Sequence, residues 1–347
     1  RPEHFWGGAN VQANSYRFDG LAANHPGLGG YFVEPSTLWI DRVEVRGLGA
    51  GAEHGGFQGG QVNVITKRGT NDFFATLRTM VSDDALSGSN LVQSEIGSEV
   101  KTRYDVEGEI GGALVPDRLF YYVAGSWVDR SARFLNHGAR EGRYAPMLEE
   151  LLERKAFGKL TWTPGPGDQI EASGAWLGTR VENHGMSGYE APGAASRFRA
   201  PTWFGNLAWR RSWGEGAVVE AQVNHFHRDE RADPYGGAGV PGVRLFSLIP
   251  PHNTFENAAF TQRSAPSSTS ATVTSTFRFQ TGAREHLLKI GGEYSRGRFL
   301  DRRIRSGGMT WMPMDHQAFE AGDPSTWGHP QDGFIPTEWG GEVHLDA

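Results

Sequence analysis

The chain has 347 residues, carries a net charge of −6, and contains 48 glycines and no cysteine. Without cysteine there is no disulfide framework and no thiolate metal site, and the acidic balance argues against a nucleic-acid partner. No run approaches the ~18 apolar residues of a spanning helix. Alternating strands, whose average composition is polar, remain free to cross a bilayer.

Residues 1–71 are rich in glycine and turn signals. Phe18-Asp19-Gly20-Leu21 and Asn24-His25-Pro26-Gly27 each mark a turn. Residues 40–45 alternate apolar and polar as a half-buried strand does, and residues 62–66 form a second short strand. The glycines between them, Gly55-Gly56-Phe57-Gln58-Gly59-Gly60, are not a phosphate loop. A strand follows them, where such a loop needs Gly-Lys-Ser/Thr opening a helix. The region reads as a small, irregular, glycine-dependent unit.

From residue 72 the pattern changes to segments that alternate at period two. In 103–110 the odd positions are Arg103, Asp105, Glu107 and Glu109, and the even ones are Tyr104, Val106, Gly108 and Ile110. The same rhythm returns around 73–81, 119–127, 156–162, 170–176, 203–209, 217–223, 271–279 and 285–294. That makes about ten strands, nine complete and the start of a tenth near Glu338. Short turns at 115–118, 164–168, 212–216 and 280–284 alternate with long connections at 83–101, 130–153, 178–201, 227–268 and 296–336. Within one long connection, residues 145–154 place Met147, Leu148, Leu151 and Leu152 at helical spacing and predict a short helix. Short turns at one end and long loops at the other are the layout of an outer-membrane β-barrel. A soluble sandwich also alternates, but with a bulkier core face. Here Gly and Ala thin the apolar face, and Trp127, Trp162, Trp176 and Trp209 sit near strand ends, as girdle residues do. A soluble β-rich binding protein is the competing reading.

Several stretches resemble the end of the plug domain of TonB-dependent outer-membrane receptors, in particular the Oar-like branch. They are Ile40-Asp41-Arg42-Val43-Glu44-Val45, Gly51-Ala52-Glu53-His54-Gly55, and Val62-Asn63-Val64-Ile65-Thr66-Lys67 with Gly69-Thr70-Asn71. Gly111-Gly112-Ala113-Leu114-Val115-Pro116-Asp117-Arg118-Leu119-Phe120 resembles the hairpin after that family's second barrel strand. The specific match covers about residues 15–128; Arg46-Gly47-Leu48 and His54 depart from the branch's usual pattern. The resemblance implies an all-β chain, with a plug over residues 1–71 followed by part of a large antiparallel transmembrane barrel over 72–347. It implies an outer-membrane receptor that imports an extracellular solute, not an enzyme, with no cofactor. The alternative within the branch is adhesion or protein export. The implied partners are outer-membrane lipid and the TonB–ExbB–ExbD complex, which would act through a segment these residues do not contain. Both ends read as cut, since ten strands could not enclose a plug of this size.

Charge placement suggests plug–barrel ion pairs, with Arg42, Arg46 and Lys67 on the plug side and Glu107 and Glu109 on the barrel side. Trp311 and Trp327, deep in a long connection, are candidate ligand contacts. His225 and His227 are two residues apart on a strand and so face one side; they are weak candidates for a metal, because complete sites carry more ligands. H-E-x-x-H and G-x-S-x-G are both missing.

Overall fold

The computed structural model describes residues 13–47, 59–86, 88, 98–134, 147–186, 192–245, 253–313, 334–339 and 343–346. The first unit is a four-stranded sheet of β1 (Ser15–Phe18), β2 (Leu21–Ala22), β3 (Ile40–Arg46) and β4 (Gln61–Thr66), in the order β2-β1-β4-β3. The β1–β2 turn passes through Asp19 (φ 49°) and Gly20 (φ 87°). Positive φ at both central residues is what an Asp-Gly pair tolerates in a tight hairpin. β4 then pairs parallel to β1 and antiparallel to β3.

The second unit begins with β5 (Phe74–Asp83), β6 (Ser98–Val115), β7 (Leu119–Phe134), β8 (Met147–Trp162), β9 (Asp168–His184), β10 (Ser196–Trp213) and β11 (Ala217–Arg228). Four short strands follow: β12 (Glu230–Pro234), β13 (Gly242–Leu245), β14 (Asn253–Phe255) and β15 (Phe260–Ser264). The chain then runs through β16 (Ser267–Thr281), β17 (Arg284–Arg298), β18 (Leu300–Arg305), β19 (Met309–Pro313), β20 (Phe334–Trp339) and β21 (Val343–Asp346). Nine long strands make one antiparallel wall in the order β5-β6-β7-β8-β9-β10-β11-β16-β17. Among the described residues β5 pairs only with β6, and β17 only with β16, so the wall is open. Its short turns follow from composition. Pro116 and Asp117 (φ 61°) occupy the centre of a turn closed by the Arg118 N–H donating to the Val115 carbonyl at 3.1 Å. Proline followed by a positive-φ residue is the type II preference.

Two expectations are corrected. The helix over 145–154 is replaced, from Met147 onward, by strand β8. The leucines do fit a helical face, but β8 pairs along β7 (Phe134↔Met147, Arg130↔Leu151) and β9 (Glu150↔Glu182), and that ladder overrides local preference. The tenth wall strand begins later than near Glu338: β20 pairs with β19 in a separate sheet of order β14-β13-β19-β20, and β21 pairs with β18 in the wall's own sheet. The long connections are shorter than the pattern implied, because the strands project well past their apolar segments.

Three projecting strands keep register through their breaks. Thr202↔Arg228 on β10–β11 continues as Arg199↔Arg231 on β10–β12. His227↔Ser267 continues as Glu230↔Ser264, and Ser267↔Arg298 as Ser264↔Asp301. Thus β12, β15 and β18 extend β11, β16 and β17 without switching faces.

The two faces of the wall differ as the alternation predicts. Outward lie Val106, Ile110, Val123, Leu160, Leu207, Val223, Val273 and Ile290, all exposed. A soluble sandwich would cover this face with a second sheet. Trp176 and Trp203, opposite each other with centroids 6.2 Å apart, mark one border of the apolar band. Trp162, Trp209 and Trp213 mark the other. Ten residues separate Trp203 from Trp213 on β10, which is ~33 Å of strand and ~25 Å of height at the usual tilt. Inward, the wall meets the small sheet in one core: Phe18, Phe32, Val33, Leu38 and Trp39 pack with Tyr122, Phe157, Phe204 and Phe226.

Candidate functional site

The core between small sheet and wall carries a set of charged contacts, and these make the candidate site. At its centre is Lys159, only 5% exposed. Its Nζ donates to Thr66 Oγ1 at 2.9 Å and to Asp19 Oδ2 at 3.2 Å, and lies 3.4 Å from Glu171 Oε2. Asp19 is positioned by the tight β1–β2 turn and also accepts from the Thr66 N–H at 2.8 Å and Thr66 Oγ1 at 2.7 Å. A buried ammonium is tolerable only when paired and hydrogen-bonded in this way.

A second contact joins Lys67 to Glu109 at 2.9 Å. Glu109 also accepts from the Tyr122 hydroxyl at 2.7 Å, which in turn reaches the Leu38 carbonyl at 3.1 Å. Glu107 accepts from Ser36 of the small unit at 2.7 Å and from Arg78 Nε of β5 at 3.0 Å. Arg17 of β1 meets Glu293 of β17 at 3.1 Å. Asn224 of β11 donates to the Ala22 carbonyl at 3.2 Å. Beside Arg17 and Gly20 a polar groove of about 630 Å³ runs between the small sheet and Gln222, Thr272 and Thr274 of the wall.

The other sequence-derived candidates fall elsewhere. Arg42 meets Asp41 at 2.9 Å and Glu44 at 3.2 Å, and Arg46 meets Glu44 at 3.2 Å. A wall carboxylate was expected for these two arginines; the contacts described are with acidic neighbours on their own strand β3. His225 and His227 face outward beside Gly205 and Trp203, and His225 Nδ1 lies 2.8 Å from Thr269 Oγ1. No group of three metal-ligating side chains occurs among the described residues. Trp311 sits on β19, where the backbone pairs with Val243 and Pro336, and Trp327 lies outside the described residues. Lys159, Asp19 and Arg17 were not among the sequence-derived site residues. The one available signal was Lys159 standing between Gly158 and Leu160 in the otherwise uncharged stretch 156–162.

The link from small sheet to wall explains the Gly69-Thr70-Asn71 motif. A Cβ at Gly69 would lie 2.2 Å from the Tyr121 carbonyl oxygen, so only glycine lets the backbone pass there. Asn71 then clamps the β6–β7 turn: its Nδ2 donates to Asp117 Oδ1 at 2.6 Å, and its Oδ1 accepts the Asp117 N–H at 2.8 Å. His25 fixes the turn after β2. Its Nδ1 accepts the Gly27 and Leu28 N–H groups at 3.2 and 3.0 Å, and its ring packs on Phe32 and on Phe299 of the wall. Burial and then the nearby Arg228 charge, opposed by Asp301, lower its pKa to about 4.

No family model matches the chain. Over 125 residues it is 26% identical to the TonB-dependent transporter Oar of Myxococcus xanthus, covering 33% of this chain and 12% of that protein. Its fold matches the Pseudomonas aeruginosa receptor FpvA bound to pyoverdines, with TM-score 0.59, 17% identity, and coverage of 99% of this chain and 42% of the receptor. It equally matches the outer-membrane transporter YddB of Escherichia coli, with TM-score 0.60, 14% identity, and coverage of 98% and 46%. The chain therefore spans less than half the length of these structures. The neighbours are outer-membrane receptors and transporters, not enzymes. The small mixed sheet seated on the inner face of an antiparallel wall with a lipid-type outer band is the plug-and-barrel fold of the TonB-dependent outer-membrane receptors.

Proposed function

We propose that residues 1–71 are the plug, and 72–347 the first part of the barrel, of a receptor that binds an extracellular solute at the long-connection end. The receptor then imports the solute by TonB-coupled plug movement. The observation that carries this reading is how the plug is held. A shared apolar core seats it, and a few discrete latches fix it: Lys159–Asp19, Lys67–Glu109 and Arg17–Glu293. Such a seam is firm at rest and yields to a directed pull. The polar groove beside Arg17 gives the solute a hydrated route once the plug shifts. Further strands of the parent protein pair with the open edges of β5 and β17, since an unpaired edge in lipid costs several kcal/mol per backbone group. Trp311 and Trp327 remain candidate ligand contacts. The TonB–ExbB–ExbD complex supplies the pull.

None of these 347 residues is a cysteine, so the natural parent protein supplies the background for a thiol added here. Ala23 is fully buried in the seam. In the full-length parent, Ala23→Cys is exposed to a thiol-reactive probe in cells growing on complex medium. Labelling that rises in energised cells and falls when the proton gradient is collapsed, or when the host's TonB is deleted, supports coupled plug movement. Labelling indifferent to both would sink the uptake reading and favour the adhesion or export alternative.

A further inference from the structure

Among the described residues, small sheet and wall meet in two chemically different sectors. One row of cross-strand partners runs along the inner face: Ala124, Phe157, Ala175, Phe204 and Phe226 on β7–β11, then Ser268 on β16 and Gly297 on β17. On β8, β10 and β11 the small unit docks through rings. Phe18 meets Phe204 and Phe157 edge-on, Trp39 stacks on Phe157 with centroids 5.0 Å apart, and Phe32 meets Phe226 at 6.0 Å. The Lys159–Asp19 and Lys67–Glu109 contacts stand in or beside this sector.

β16 and β17 present hydroxyls and glycine instead. Ser264 of β15 and Ser268, Ser270, Thr272 and Thr274 of β16 follow one another on the inward face. Ser264, Ser268 and Ser270 are buried, whereas Thr272 and Thr274 line the polar groove of about 630 Å³. The hold on the small unit is different here. Arg17 meets Glu293, whose side chain is 34% exposed, and Asn224 reaches the Ala22 carbonyl. Four residues beyond Glu293, towards the long connections, the turn after β2 closes on the wall. A Cβ at Gly297 would lie 2.7 Å from Pro26 Cβ, and the His25 ring packs on Phe299. Parting rings exposes apolar surface, which is unfavourable in proportion to area. Parting hydroxyls and amides hands them to water, which hydrogen-bonds them nearly as well, and an exposed ion pair holds weakly. A pulled plug therefore separates first where its hold is polar. Once Arg17 withdraws, the wall in and beside the groove carries Glu293 with Lys289, Glu220 with Arg210 at 3.3 Å, and Arg278 with Glu285 at 3.1 Å, so neither sign is in excess. Gln222, Thr272 and Thr274 are left to meet a solute.

We propose that the plug parts from the wall along β16 and β17 while its aromatic side stays seated, and that the Ser264–Ser268–Ser270–Thr272–Thr274 ladder becomes the lining of the solute path. Such a path takes a hydrophilic solute that is met by hydroxyl and amide hydrogen bonds rather than by net charge. The proposal rests on the receptor reading given above and adds the sector that opens and the class of solute that fits it.

The test places single cysteines in the full-length parent protein in energised cells. Ser270→Cys, close in size to the natural residue, reports the hydroxyl sector, and Ala175→Cys, between Phe157 and Phe204, reports the aromatic one. Both sites are buried at rest. The probes are small methanethiosulfonate reagents, one neutral, one anionic and one cationic, and heat-modifiable gel migration checks that each barrel is closed. Should Ser270→Cys fail that check, Ser268→Cys takes its place. The expected result is several-fold faster labelling at Ser270→Cys when the proton gradient is present, with Ala175→Cys unchanged. The three reagents should then react at Ser270→Cys in the same ratio as with free cysteine. Equal acceleration at both sites, or acceleration at Ala175→Cys alone, would overturn the proposal and leave plug movement standing. Silence at both sites while Ala23→Cys responds would do the same; silence at all three would remove the uptake reading and this one with it. A strong preference for either charged reagent would overturn the solute class.

Discussion

Lys159 shows what one buried charge does at the plug seam. Its ammonium is almost without solvent and is held by Asp19, Thr66 and Glu171. Replacing it with methionine leaves the Asp19 carboxylate buried without its cation, and breaking a buried pair costs roughly 3–5 kcal/mol. We expect Lys159→Met to release β4 amides to hydrogen exchange well before the wall strands. Arg42→Ala, on an exposed strand edge, is expected to leave stability and β4 exchange unchanged. His25 gives the pH dependence. Its folded pKa of about 4 lies below the ordinary value of 6.5, so the unfolded turn binds the proton more readily. Its contribution is complete above pH ~6.5 and is lost as pH falls through the folded value, a span worth on the order of 3 kcal/mol. Exchange of the 23–33 amides should therefore accelerate as pH is lowered from 6.5 towards 4, after correction for intrinsic rates. His25→Asn, which can accept the same two N–H groups without titrating, should flatten that dependence.

At the scale of elements, the link between plug and barrel is the most constrained segment. Gly69 passes against the Tyr121 carbonyl and Asn71 locks to Asp117. A methyl at Gly69 forces strand β7 or the link to move, an overpacking cost of about 1–3 kcal/mol. Asn71→Ala removes two hydrogen bonds, one of them to a carboxylate, and should cost ~2 kcal/mol. Both variants should lower the temperature of the heat-induced gel shift, and Gly69→Ala should also slow refolding of the plug onto the wall. If Gly69→Ala matched the natural protein, the close approach of link and wall would be wrong. Strand β8 teaches the complementary point. Its leucines suit a helix, yet partners on both sides hold it extended.

For the whole molecule the deciding feature is that the wall has two solvents. Its inner face meets a plug through aromatic packing and charge, and its outer face is a band of exposed apolar side chains between two rows of tryptophan. Leu207 stands mid-band on β10. Leu207→Arg should cost ~2–4 kcal/mol, the price of a cation at the bilayer midplane. A polar change on the inner face of the same strand, Asn206→Ser, should be close to neutral. The comparison is made on folded yield in lipid vesicles, and equal yields would contradict the assignment of faces.

Period-two alternation is local, so the nine wall strands, their outward and inward faces, and the short turns were all legible in the sequence. So was the Gly69-Thr70-Asn71 signature, because its chemistry is contained in adjacent residues. Pairing between distant residues was not. Lys67 and Glu109 lie 42 positions apart and Asp19 and Lys159 lie 140 apart. Which of several nearby charges meet depends on strand register and on how the plug seats, and neither leaves a local trace. For the same reason the sequence suggested a helix where β8 runs, and began the tenth wall strand at β20, which joins another sheet, instead of at β21. The sequence by itself determined which residues meet lipid and which meet water or plug, because each strand carries that choice in its own alternation. Only the tertiary structure decided which charges meet, because that depends on backbone pairing between segments far apart in the chain.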